Sequence, residues 1–319
     1  MSAADPTRPA DQTLDAFRGD RVYLGADHRR NERRTWIVTA ICAVTLVVLL
    51  SGGLVFHSMA LTASGLHMAA HVAALLVAAG AYALARRHAD DARFAFGTGK
   101  LGYLAGFANA IVLAISAVLI GVESLRRMLA PEAVDYAAAV PLAAGGLAVT
   151  LICAWLLKPA ATGFRNDPDG DLNLTAVHLH LSADAMVSFL AILGLAAGEY
   201  LGWAFADPLA GLAGAVLVGH FAWTLVRRAS AALLDVNPSA ELTEEVRARL
   251  QAEGERVIDL HLWRLGPGHH AVIAVVASDH PRTAETYRKR LNGLKGLSHV
   301  TVEVREAGGH DHSHGHSHG

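Results

Sequence analysis

The sequence predicts an α-helical membrane protein, with six transmembrane helices followed by a cytosolic α+β domain. Three observations carry this. The 319 residues are 53% hydrophobic but only 6% aromatic. Mean hydropathy is +0.33, high for a soluble chain. Between Trp36 and Arg228 the sequence breaks into uncharged or weakly charged runs near the roughly 20 residues that span a bilayer. After Arg228 the pattern changes to short alternating helix and strand signals. The expected division is a leader over residues 1–35, a six-helix transmembrane bundle over 36–228, an α+β domain over 229–306 and a tail over 307–319.

Residues 1–35 are polar, with Pro6, Pro9 and a closing basic cluster, Arg29, Arg30, Arg33 and Arg34. They show no apolar core ending in a cleavage site, so no signal peptide is read there. The first run extends from Trp36 to about Phe56, and His57 lies at the junction that follows, where an interfacial role is expected. The second run, from about Met59 to Leu84, carries His67 and His71. A charged loop with His88, Asp90 and Asp91 leads to the third run, from Gly99-Lys100 to about Leu125. Its Gly102, Ala105, Gly106 and Ala108 permit close helix packing in lipid. The fourth run is Tyr136 to Leu157, stopped by Lys158-Pro159. A turn at Asn166-Asp167-Pro168-Asp169-Gly170 precedes the fifth, Leu172 to Leu201, which holds His178, His180 and Asp184. The sixth is Pro208 to Leu225, closed by Arg227-Arg228. Basic residues gather before run one, after two, after four and after six, which places both termini in the cytoplasm.

Beyond the bundle, Leu242 to Glu253 reads as a helix and Val257 to Leu265 as a strand. Gly266-Pro267-Gly268 is a turn, Ala271 to Ala277 a strand, Arg282 to Leu294 a helix and Ser298 to Val304 a strand. The order αββαβ suits helices covering one face of a small sheet. The final segment repeats His with Gly, Ser or Asp (His310, His312, His314, His316, His318) and reads as a flexible metal-collecting tail. Net charge is −2, which gives no support to nucleic-acid binding. The two cysteines, Cys42 and Cys153, sit in apolar runs and read as small buried hydrophobes.

The chemistry centres on two pairs spaced four apart. In a helix that spacing puts both side chains on one face. His67 pairs with His71, and His180 with Asp184. A carboxylate at membrane depth is costly and usually functional. If the two helices are neighbours, three imidazoles and one carboxylate converge, a set that suits tetrahedral Zn²⁺ and also accepts Co²⁺. Imidazole binds metal only when neutral, so protons compete with metal there. His178, two residues from His180, points elsewhere and is read as a packing residue. In the α+β domain, His261, His269, His270, His280, His299 and Glu303 are read as surface or core groups, and His88, Asp90 and Asp91 as a solvated loop.

The sequence resembles the cation diffusion facilitators, specifically a bacterial branch of divalent metal efflux proteins. The resemblance rests on Asn31-Glu32-Arg33-Arg34-Thr35-Trp36, on Ser58-Met59-Ala60-Leu61 leading to His67 and His71, and on Phe96-Gly97-Thr98-Gly99-Lys100. It continues with His180 and Asp184, Asp207-Pro208, Asp259-Leu260-His261-Leu262-Trp263 and Leu297-Ser298-His299-Val300-Thr301-Val302-Glu303-Val304. It implies six spans, a homodimer in the bacterial inner membrane, and a ferredoxin-like cytosolic domain. It also implies a transport site at His67, His71, His180 and Asp184, exporting a divalent cation (Zn²⁺ or Co²⁺, with Ni²⁺ and Cd²⁺ in the same class) against protons. Many family members carry Asp where this chain has His71. Two departures stand out: Ser64 replaces an Asp usual before the first histidine, and the histidines of a loop between spans four and five are absent, those of the tail standing instead. Three rival readings are a haem-binding electron-transfer subunit, an intramembrane metalloenzyme and a metal sensor without transport. Haem needs no partner carboxylate for its histidines. A metalloenzyme needs an open metal position and a general base, and no His-Glu-x-x-His is present.

Overall fold

A computed structural model describes residues 22–55, 57, 59–130, 136–158, 170–203 and 205–307. In chain order, the bundle contains α1 (His28–Val55), α2 (Met59–Arg87), α3 (Leu101–Leu129), α4 (Tyr136–Leu156), α5 (Leu172–Leu201) and α6 (Ala206–Leu233). The C-terminal domain contains α7 (Ala240–Leu250), β1 (Arg256–Gly266), β2 (His269–Ser278), α8 (Ala284–Arg290) and β3 (Leu297–Glu306). Among the described residues, the six bundle helices are each long and apolar enough to cross a membrane. Side chains such as Val47, Val118, Trp155 and Val216 are exposed on their outer surfaces, as a lipid-facing perimeter requires.

α5 is the axis of the bundle. Leu172, Ala176, Leu179 and Ala183 on one side pack against Tyr103, Leu113 and Ala117 of α3 and Val218, Ala222 and Leu225 of α6. Leu174, Val177 and Leu181 on another side pack with Val38 and Cys42 of α1, Met68 and Leu75 of α2, and Cys153 of α4. Two interleaved apolar stripes on one helix leave a narrow strip between them, and His180 and Asp184 occupy it. The small residues of α3 allow the close approach expected: a Cβ on Gly106 would meet the Leu172 carbonyl oxygen at 3.4 Å. Cys42 and Cys153 are free and buried, their sulfurs 3.7 Å apart.

Several boundaries differ from those read in the sequence. α1 begins at His28 rather than Trp36, because its first turns are polar but not solvated. Asn31, Glu32 and Thr35 are buried, and Glu32 accepts two hydrogen bonds of 3.0 Å from Arg86 of α2. α6 runs past Arg227 and Arg228 to Leu233 because Ala229 and Ala232 continue its buried face. α8 is shorter than Arg282–Leu294. It starts after Thr283, whose side chain accepts from the Thr286 amide, and the chain turns at Gly293 with φ 85°, a left-handed geometry that glycine adopts freely.

In the C-terminal domain, β1 and β2 pair antiparallel and β2 and β3 parallel, in sheet order β1-β2-β3. Val246 and Leu250 of α7 and Tyr287 of α8 pack on Leu262, Val272, Val276 and Val302, so both helices cover one face, as the αββαβ order predicts. The domain touches the bundle at a tight junction. Tyr23 packs with Leu265 and Ala271, His269 Nε2 lies 3.3 Å from the Leu24 carbonyl oxygen, and Phe96 sits edge-on between Trp263 and His299. Lys100 pairs with Asp235. A Cβ on Gly266 would run into the Tyr23 carbonyl, so the close approach needs glycine there.

Candidate metal centre

Helical spacing brings each predicted pair to one face, and the packing of α2 beside α5 brings the faces together. His67 Nε2 donates to Asp184 Oδ1 at 2.8 Å. His71 Nε2 lies 3.3 Å from Asp184 Oδ2 and 3.2 Å from His67 Nε2. The ligand atoms of His67, His71 and Asp184 all lie within 4.8 Å of one another, the one such group of three or more among the described residues. His180 stands beside this group rather than in it. Its ring is edge-on to His71 with centroids 5.1 Å apart, and its Nδ1 is buried without a hydrogen-bond partner, as is Nδ1 of His71.

The separations suit a small cation. Tetrahedral ligands about 2.0–2.1 Å from Zn²⁺ are about 3.3 Å from each other, close to the distances between His67, His71 and Asp184. A buried polar atom without a partner is unusual; on His180 it is Nδ1 that is left open, while His71 faces the group through Nε2. The group is asymmetric in exposure. His71 and His180 are 2% and 6% exposed, whereas the His67 side chain is 59% exposed and that of Asp184 14%. α2 runs toward the end of the bundle that bears the C-terminal domain, and α5 runs away from it. The buried pair is therefore the one nearer the domain.

Other candidates from the sequence do not join the group. His178 donates from Nδ1 to the Ala154 carbonyl of α4 at 3.0 Å, the packing role read for it. Ser64 lies one helical turn before His67, half-buried. His57 is exposed at the α1–α2 turn. His88 caps back onto the Leu84 carbonyl. Asp91 is forked by Arg93, whose hydrogen bonds hold its carboxyl down to about 2. An apolar cleft of about 330 Å³ between α4 and α5, lined by Leu147, Leu151, Met186 and Phe189, carries no ligand-type side chain.

In the C-terminal domain, His261 pairs with Asp259 on the same strand at 2.8 Å. His269 pairs with Ser298 at 2.7 Å. Glu303 accepts from Arg305, His270 is buried and His280 exposed. The tail histidines from His310 onward lie outside the described residues, as does most of the loop between α4 and α5. Sequence reasoning missed the polar cluster around Asp171, described below. The N-cap position of Asp171 was its one sequence signal, and nothing local showed that Tyr82 and Asn31 would meet it.

The profile of the cation efflux transmembrane domain family matches residues 35–234. The chain is 26% identical over 301 residues to the cadmium, cobalt and zinc/H(+)-K(+) antiporter of Bacillus subtilis, covering 91% of this chain and 95% of that protein. It is 29% identical over 280 residues to the zinc transporter ZitB of Escherichia coli, covering 86% and 87%. It is 28% identical over 300 residues to the metal cation efflux system protein CzcD of Cupriavidus metallidurans, covering 89% and 91%.

Proposed function

Since the chain belongs to the cation diffusion facilitator (cation efflux) family and is a multi-pass membrane transporter of that family's kind, we propose that it exports divalent transition-metal ions in exchange for protons. The observation that carries this reading is the convergence of His67, His71 and Asp184 from two spanning helices, with His180 alongside. In the proposed site all four are ligands. Three come together already, and His180, its ring 5.1 Å from that of His71, is the fourth. One negative charge among four ligands sets a moderate affinity, which a cargo site needs in order to release its ion.

Proton coupling follows from the donor set. The proton that His67 shares with Asp184 occupies an atom the metal needs. Binding expels it, and reprotonation from the far side expels the metal. An imidazole with a reference pKa of about 6.5 can do both near neutrality. The cargo is Zn²⁺ or Co²⁺ by ligand type, with Ni²⁺ and Cd²⁺ in the same class; the names of the Bacillus, Escherichia and Cupriavidus relatives accord with metal export. The working unit is a homodimer in the inner membrane, with both termini in the cytoplasm. Purified chain in liposomes should drive proton movement when metal is added on one side, and inside-out vesicles should accumulate Zn²⁺ or Co²⁺. Stoichiometric binding with no uptake would leave a sensor and overturn the transport reading.

A further inference from the structure

On the domain-bearing side of the metal centre, the bundle is closed twice. Val38 of α1, Leu75 and Ala78 of α2, and Val177 of α5 are packed nearly free of solvent. Beyond this apolar layer lies a polar knot around Asp171, the N-cap of α5. Its Oδ1 accepts from the Leu174 amide at 3.2 Å. Its Oδ2 accepts from Asn31 Nδ2 of α1 at 2.9 Å and from the Tyr82 hydroxyl of α2. His28 Nε2 donates to the Tyr82 carbonyl at 3.1 Å, and Asn173 donates to the Ala78 carbonyl at 2.9 Å.

We propose that Asp171 is the inner-gate residue of the transport cycle: its carboxylate holds the ends of α1, α2 and α5 together in this arrangement, closed on the domain-bearing side, and releases Tyr82 and Asn31 to admit metal from the cytosol. This rests on the reading of the preceding subsection, metal export in exchange for protons. An N-cap needs one acceptor, and Ser, Thr or Asn would serve. Here the cap carboxylate gathers donors from two further helices, one of which carries His67 and His71. Hydrogen bonds suit a latch because water replaces them when the helices part, so their net contribution is modest. The apolar layer supplies the seal, and Asp171 decides when it opens. Two discrete packings of this kind are what a gate requires.

The test uses the full chain with Cys42→Ala and Cys153→Ala as background and Ala78→Cys as a reporter behind the latch. A membrane-impermeant maleimide is added to inside-out and right-side-out vesicles, and the labelling rate is measured. Asp171→Asn keeps a capping oxygen but removes the charge; Tyr82→Phe removes only the hydroxyl. Each is expected to raise labelling in inside-out vesicles by about tenfold, the effect of losing a hydrogen bond to a charged group, with right-side-out labelling unchanged. Should Asp171→Asn fail to accumulate, Tyr82→Phe decides alone. Unchanged labelling with intact metal uptake overturns the latch. Absent uptake in the unsubstituted chain overturns the transport reading, and the labelling rates still report on the latch.

Discussion

The bundle and the C-terminal domain both carry histidine next to a carboxylate, with opposite consequences. In the bundle, His67, His71 and Asp184 arrive from two helices and enclose a point between them. In the domain, Asp259 and His261 lie two apart on one strand and pair with each other on an exposed face. A helix places residues four apart side by side, so two packed helices supply four convergent groups. A strand places residues two apart side by side, and no neighbouring strand extends the Asp259–His261 pair: the residues opposite are Val275 and Ile273 on β2. A ligand set therefore depends on a second element bringing its own ligands, and among the described residues α2 and α5 do this for each other.

The sharpest way to break this comparison is Asp184→Ala, which removes the one carboxylate. Metal-driven proton flux in proteoliposomes should fall by at least about 100-fold, since even outer-shell partners of metal ligands are worth about 10–100-fold. Flux within a few-fold of the unsubstituted chain would sink the centre. His180 comes next. His180→Phe keeps a ring against His71 but offers no nitrogen, and Zn²⁺ affinity measured by calorimetry should fall about 10–100-fold. Unchanged affinity would make His180 a packing residue and leave a three-ligand site.

Smaller effects are expected in the domain. Burial, then the nearby Arg288 charge, holds the His299 imidazole below its ordinary 6.5. The unfolded chain thus binds the extra proton first as pH falls below 6.5, and this histidine's contribution to stability is lost toward acid. His299→Gln should flatten that part of the Tm–pH profile, read by the melting of the full chain between neutral pH and pH 5; an unchanged slope would remove the burial argument. Smallest is His261→Ala. Its hydrogen bond to Asp259 is exposed to water, which replaces it at little cost, so Tm and Zn²⁺ stoichiometry should both stay nearly unchanged. A lost equivalent of Zn²⁺ would erase the contrast between the two regions.

Much of the fold was legible because hydropathy over twenty residues reports lipid exposure directly, and because Gly266-Pro267-Gly268 separates two strand patterns. Helix ends were less legible. The start of α1 at His28 depends on Arg86 covering Glu32, and the end of α6 at Leu233 depends on Ala229 and Ala232 meeting α3 and α5, contacts remote in sequence. Within the site, spacing paired His67 with His71 and His180 with Asp184, but did not show that three of them would converge with His180 to one side. His180 is on the same helix as Asp184, and which imidazoles meet that carboxylate depends on how α2 lies against α5, which spacing does not encode.

By itself the sequence determined the six spans, the αββαβ domain and the two pairs of ligand-type residues, since helix and strand periodicity act locally. Tertiary structure alone decided that α2 lies against α5, that His67 and not His180 shares the carboxylate of Asp184, and that Asp171 ties three helices together. Those outcomes follow from how two apolar stripes on α5 divide its neighbours, and packing between elements is a property of the folded bundle, absent from any one segment.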